Sequence, residues 1–192
     1  VIVQFRPLEP EDGDQVLAWR NSPDVAAYMY ADQVITASEH ALWLEAALTK
    51  DDRRYWVIEA DGMGVGVANL AHIDRTVRRC ELGHYIADPQ MRGKGVGACV
   101  EYILLQQVFE VLKLNKLWCE VLMENEDAWR LHESFGFVRE ARFRDHVCKG
   151  GRFRDVVGLG MLMRDWTIAR PACEARLAAR GFDVAELRVR QV

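Results

Sequence analysis

Between an apolar strand-like run, Leu82 to Ala87, and a long amphipathic run, Val96 to Leu112, lies the stretch Gln90-Met91-Arg92-Gly93-Lys94-Gly95-Val96-Gly97-Ala98. It constrains the fold more than any other part of the chain. Glycine has no Cβ, so its backbone reaches conformations and close approaches closed to other residues. A glycine turn that opens a helix leaves the first N–H groups unpaired, and the aligned peptide dipoles add positive potential there. Such a place suits an anion, most often a phosphate or pyrophosphate. Arg92 and Lys94 add charge beside it. Spacing excludes two common phosphate loops: the glycines run G-x-G-x-G rather than G-x-G-x-x-G, and no Gly-Lys-Ser/Thr closes the turn.

Size and composition set the frame. A chain of 192 residues, 50% hydrophobic, is expected to form one domain with enough apolar residues for a core. A net charge of −4 argues against nucleic acid as a partner. The five cysteines, Cys80, Cys99, Cys119, Cys148 and Cys173, form no C-x-x-C pair, so neither a disulfide framework nor a metal site is indicated. No run approaches membrane-spanning length and no secretory leader is legible, so a cytoplasmic protein without a membrane partner is expected.

In chain order, Phe5 to Leu8 reads as a strand. Pro10, followed by acidic Glu11, Asp12 and Asp14, opens a helix. Ser22-Pro23 starts a second helix, and the capping box Thr36-Ala37-Ser38-Glu39 a third. Strands follow at Tyr55 to Ala60, Val65 to Ile73 and Glu81 to Ala87, then, after the long helix, at Lys116 to Leu122. Asn125 to Ser134 is a short helix with Gly136 as its stop. Arg142 to Lys149 and Arg152 to Leu162 flank Gly150-Gly151, a two-residue hairpin signal. This order makes an α+β, mixed α/β sheet protein. Residues 1–170 are expected as the domain and 171–192 as a tail, helical in part, packing on it.

The glycine loop in Q-x-x-G-x-G form resembles the pyrophosphate motif of the GNAT superfamily, the acetyl-coenzyme A-dependent N-acetyltransferases. A second signature, Asn125-x-x-Ala128-x-x-Leu131-His132-Glu133-x-Phe135-Gly136-Phe137, resembles that superfamily's N-x-x-A-x-x-x-Y-x-x-x-G-F. The resemblance implies a mixed, mostly antiparallel sheet whose central strands splay apart, with acetyl-coenzyme A in the splay as acetyl donor. It places the cofactor against Ile86, Ala87, Gln90, Met91, Arg92, Gly93, Lys94, Gly95, Val96, Gly97 and Ala98, and its thiol end against Asn125, Ala128 and Trp129. Backbone N–H groups near Ala87 would polarise the thioester carbonyl. The superfamily tyrosine that protonates the leaving thiolate is His132 here, a donor with an ordinary pKa of about 6.5 rather than about 10.

Glu120 is a lone carboxylate in an apolar strand, so it faces a cleft or is paired. The resemblance makes it the base that takes the amine proton. His84 and Glu81 are alternative bases. At the amino-terminal end, Trp19-Arg20-Asn21-Ser22-Pro23, Met29-Tyr30 and Glu39-His40-x-x-Trp43 resemble the amino-sugar N-acetyltransferases of the pseudaminic acid pathway. Those act on UDP-4-amino-4,6-dideoxy-N-acetyl-β-L-altrosamine, a flagellin-glycosylation precursor. By that resemblance Arg20, Asn21, His40 and Tyr85 bind a nucleotide-linked amino sugar. The alternatives are a ribosomal-protein-type N-terminal acetyltransferase and a coenzyme A-binding module without turnover. A homodimer through the carboxy-terminal strands is also expected.

Overall fold

The structure, a computed structural model, describes residues 1–190. One eight-stranded sheet organises it, in the order β6-β7-β5-β4-β3-β2-β1-β8. The strands are β1 (Val3–Pro7), β2 (Arg54–Ala60), β3 (Met63–Asp74), β4 (Arg79–Ile86), β5 (Lys116–Leu122), β6 (Val138–Lys149), β7 (Arg152–Leu162) and β8 (Arg188–Val189). Only β4–β5 and β1–β8 are parallel pairs. The others run antiparallel.

Strand alternation sorts side chains to two faces. Trp56 and Ile58 join the larger core, under the helices α4 (Val96–Gln106), α5 (Glu126–Phe135) and α6 (Met163–Ala179). Val57 and Val67 point the other way, into a smaller core with Leu8, Val16 and Ala47. There α1 (Gly13–Asn21) and α3 (Ala37–Thr49) cover the sheet, with α2 (Pro23–Ala26) between them. The Thr36 capping box forms as read: Glu39 N–H donates to Thr36 Oγ1, and Thr36 N–H to Glu39 Oε2.

The sheet opens at its centre. β4 and β5 pair only at Arg79–Lys116, Cys80–Leu117 and Glu81–Trp118, and beyond that they diverge. The far side of β4 stays zipped to β3 through Gly66–Ile86. Gly66 is required there, because a Cβ on it would lie 2.1 Å from the Tyr85 carbonyl oxygen. The splay is therefore one-sided, a gap in which β4 keeps its shape and β5 leaves.

The ends of β1, β2, β3 and β4 shift by at most two residues from the sequence reading, and two boundaries differ by more. β6 begins at Val138 rather than Arg142, because register shifts at Arg139/Ala141 and Phe143/Val147 break the alternation that marks a strand. The last helix begins at Met163 and runs through Pro171, which forfeits one backbone hydrogen bond without ending the helix. Cys173, Leu177, Phe182 and Leu187 from the last segment are all buried in the larger core.

Candidate active site

The gap between β4 and β5 widens into a cleft of about 850 Å³. The glycine loop borders one end. Gly93 and Gly95 are left-handed, with φ of 73° and 89°, and Gly95 caps α4. The N–H groups of Gly93, Lys94, Gly95, Val96 and Gly97 find no acceptor among the described residues. Five unpaired donors at a helix start suit a pyrophosphate. Met91, Arg92, Gly93, Gly97, Asn125 and Ala128 line the cleft, with Ile86 on its β4 wall. Val96 and Ala98 are buried in the core, so any part they take is through backbone. Gln90 and Lys94 lie outside the lining. Arg92 is partly committed, reaching Asp24 at 3.2 Å and the Ile86 carbonyl at 3.3 Å.

Two expected cofactor contacts are not made available. Ala87 N–H donates to the Val65 carbonyl at 2.8 Å, so it cannot polarise a thioester. By the alternation of an antiparallel ladder, the β4 N–H groups that face the gap are those of His84 and Ile86. Trp129 is turned away from the cleft: its indole N–H donates to the Met123 carbonyl at 3.0 Å, and Arg139 stacks on its ring.

β5 carries chemistry on both faces. Glu120 points to the α1–α3 side, where the Tyr30 hydroxyl donates to its Oε2 at 2.9 Å and His146 Nε2 stands 4.0 Å away. Burial first, then the Glu120 carboxylate, push the Tyr30 pKa up, so Tyr30 stays a donor. Tyr30 is placed by a strap: Lys149 Nζ donates to the carbonyls of Ala26 and Met29 and pairs with Asp32. Tyr28, Trp43, Tyr55 and Tyr85 complete an aromatic wall on this side.

Of the other residues expected there, Arg20 lines the cleft and has no ion-pair partner among the described residues; burial pulls its pKa down. Asn21 does not reach the cleft. Its amide clamps the backbone of Ile35 with two 2.9 Å hydrogen bonds. His40 lines the cleft but is only 6% exposed, and its Nε2–H donates to the Gly13 carbonyl at 2.8 Å while its ring stacks on Trp43. Both are braces for the acceptor wall. Glu81 is taken by His72 at 2.8 Å.

On the opposite side of β5, Cys119 faces the α4–α5 layer, and there His132 lines the cleft at 3% exposure. Its Nδ1–H donates to Glu101 Oε1 at 2.9 Å. Glu101 is fully buried in α4. His84, on β4, packs edge-on against the His132 ring, its pKa pushed down by burial to about 4, so it stays neutral. Sequence reasoning passed over Glu101 and gave Tyr30 no role of its own. A lone carboxylate inside Val-Gly-Ala-Cys-Val-Glu-Tyr-Ile-Leu-Leu was a signal of the same kind as Glu120. Among the described residues, no group of three or more His, Cys, Asp or Glu is placed to hold a metal ion. Among the same residues no helix is long and apolar enough to cross a membrane.

Residues 3–138 match the family described as the acetyltransferase (GNAT) domain. The chain is 28% identical over 155 residues to the spermidine N(1)-acetyltransferase of Escherichia coli (strain K12), covering 81% of this chain and 83% of that protein. Its fold superposes on the spermidine N-acetyltransferase of Vibrio cholerae in complex with CoA and spermine with a TM-score of 0.81, at 24% identity, over 86% of this chain and 98% of that one. A Vibrio cholerae and hSSAT chimera of the same enzyme gives 0.80 at 26% identity, over 87% and 99%. Acetyltransferase PseH of Campylobacter jejuni is 29% identical over 146 residues, 75% of this chain and 89% of PseH.

These matches overturn the expected assignment to the pseudaminic acid pathway. Both sequence and structure lead to spermidine acetyltransferases, so the nucleotide-linked amino sugar is withdrawn as partner, and flagellin glycosylation with it. Within that amino-terminal pattern Asn21 and His40 spend hydrogen bonds on the backbone of Ile35 and Gly13. The donor is acetyl-coenzyme A, and the gap, the unpaired loop N–H groups and the matched domain agree on it. By its fold, its loop and its matched domain, the chain belongs to the GNAT acetyltransferase family.

Proposed function

We propose that the protein acetylates a primary amine of an aliphatic polyamine. The observation that supports this most is Glu120, a carboxylate held by Tyr30 in a wall of aromatic side chains. Aromatic faces and a carboxylate attract an alkylammonium ion. The spermidine acetyltransferases among the relatives point to the same acceptor class.

When bound, acetyl-coenzyme A supplies an activated acetyl thioester. The chain's own residues divide the remaining work between the two faces of β5. Glu120 takes the proton that an ammonium ion must lose before its nitrogen can attack. N–H groups of His84 and Ile86 face the gap where a carbonyl oxygen would need donors. His132, on the far face, holds the proton that a departing thiolate needs. The five cysteines are free, four of them buried, which suits a reducing compartment and supports a cytoplasmic location. A homodimer would have β6 as a candidate edge, since β6 pairs only with β7 in the described chain.

A second reading is favoured by Arg20, a partly buried cation in the cleft with no ion-pair partner. It suits an acceptor with a negative group beside its amine, such as a peptide whose free amino terminus is followed by an acidic side chain. Thiol release from acetyl-coenzyme A with spermidine and with such peptides separates the two. Under the polyamine reading, Arg20→Gln removes a like charge and is expected to lower the spermidine KM by about two- to fivefold. A raised KM for spermidine, or faster turnover of the peptide, would move the assignment to the second reading.

A further inference from the structure

We propose that Glu101 is a positioning residue that holds His132 in its charged, proton-donating form at the thiol end of the cleft. This rests on the reading of His132 as the thiolate's proton donor.

The geometry is specific. Glu101 is 0% exposed, and His132 is its one hydrogen-bond partner among the described residues, at 2.9 Å. Its second oxygen, Oε2, is buried without a partner. A carboxylate in that position is stabilised by a single proton, the one on His132 Nδ1. With Nδ1 committed, the nitrogen left for the cleft is Nε2.

The neighbours from each packed element fit this charge state. Glu101 comes from α4, His84 from β4 and Cys119 from β5, and Phe137 closes the fourth side. His84 stays neutral and its buried Nδ1 has no partner, so it does not compete for Glu101. The Cys119 thiol neighbours the His132 ring, and thiol sulfur is a weak acceptor. The ring N–H left for the cleft is therefore available to a thiolate, which accepts far better. Burial alone would strip the proton from His132; the Glu101 carboxylate reverses this, holding its pKa well above the ordinary 6.5. In the same way burial would neutralise Glu101, and the His132 charge keeps it ionised.

The sign follows. His132 donates below its own pKa, so the rate is expected to fall on the alkaline side only at a pH above the ordinary histidine range. Glu101→Gln leaves burial in force and removes the opposing charge. The His132 ring should then titrate at least about one pH unit lower, read by NMR in the free protein. The alkaline limb of kcat should move down by the same amount, a loss approaching about tenfold at pH values above the wild-type limb against little change on the acid side. Glu101→Asp should restore part of both, and acetyl-coenzyme A affinity should not change. Unchanged titration of His132 in Glu101→Gln, or a kcat lowered equally at every pH, would overturn the positioning role. A titration that shifts while the rate limb stays put would instead remove His132 as donor, and the reading beneath this proposal with it. Should Glu101→Gln not fold, Glu101→Asp alone decides: its intermediate titration and limb support the role, and wild-type values of both refute it.

Discussion

Glu120→Gln is expected to lower kcat by about a hundred- to ten-thousand-fold, with acetyl-coenzyme A affinity unchanged. Glutamine has nearly the shape of glutamate and still accepts the Tyr30 hydroxyl, so the wall should stand. What it cannot do is take a proton. An alkylammonium has a pKa near 10, so at neutral pH almost none of the acceptor is nucleophilic until a base removes its proton. Glu120 is 21% exposed at its side chain, open to the cleft on one side and fixed by the 2.9 Å Tyr30 bond on the other. The unpaired N–H groups that suit the cofactor's pyrophosphate belong to residues 93–97 and not to β5, which is why calorimetry with acetyl-coenzyme A should see no change. Tyr30→Phe should cost less, about three- to tenfold, because it loosens the carboxylate without removing it. A Glu120→Gln protein that turns over at the wild-type rate would make Glu120 a binding residue and require another base.

The second large effect belongs to Gly97. It lies in the first turn of α4 with ordinary helical backbone, and a Cβ there would sit 3.4 Å from Leu131 Cδ2 and 3.8 Å from Ile86 Cδ1. Alanine therefore fits. The extra methyl groups of valine reach into the cleft between those side chains, beside the loop N–H groups. Gly97→Val is expected to weaken acetyl-coenzyme A binding by about ten- to a hundredfold, while Gly97→Ala binds close to wild type. Thermal unfolding should show both variants folded. Equal affinity in a folded Gly97→Val protein would place the cofactor elsewhere. Gly95 is the poorer probe. Its φ of 89° strains any other residue, and a Cβ there would stand 2.8 Å from the Phe182 ring. A change at Gly95 therefore reports on folding as much as on binding.

Local signals carried well from sequence to structure. The capping box at Thr36, the Gly150-Gly151 turn and the left-handed glycines before α4 each depend on a few neighbouring residues, and each formed as read. What stayed hidden was contact across the chain. Glu101 and His132 are 31 positions apart, Tyr30 and Glu120 are 90 apart, and no periodicity in either segment records the partner. The same holds for Asn21, His40 and Trp129. Each is polar or amphipathic in a signature stretch, and each gives a hydrogen bond to a backbone group that the sequence does not mark. The splay of β4 from β5 was legible only through family resemblance, since divergence after three paired residues leaves no mark in composition.

The pairing of β8 with β1 has a bearing on how the chain is made. Gln4 and Phe5 lie beside Arg188 and Val189, so β1 waits for a partner synthesised 184 positions later (188 less 4). During translation β1 can pair with β2 early, but its other side stays open until the segment after α6 has left the ribosome. Leu177, Phe182 and Leu187 arrive in the same interval, and until then the larger core lacks part of its wall. A nascent chain stalled before that point should be far more open to protease than the released protein, because so much of its burial depends on contacts of high sequence separation. Pulse proteolysis of stalled chains of increasing length should show protection rising late and steeply, rather than strand by strand.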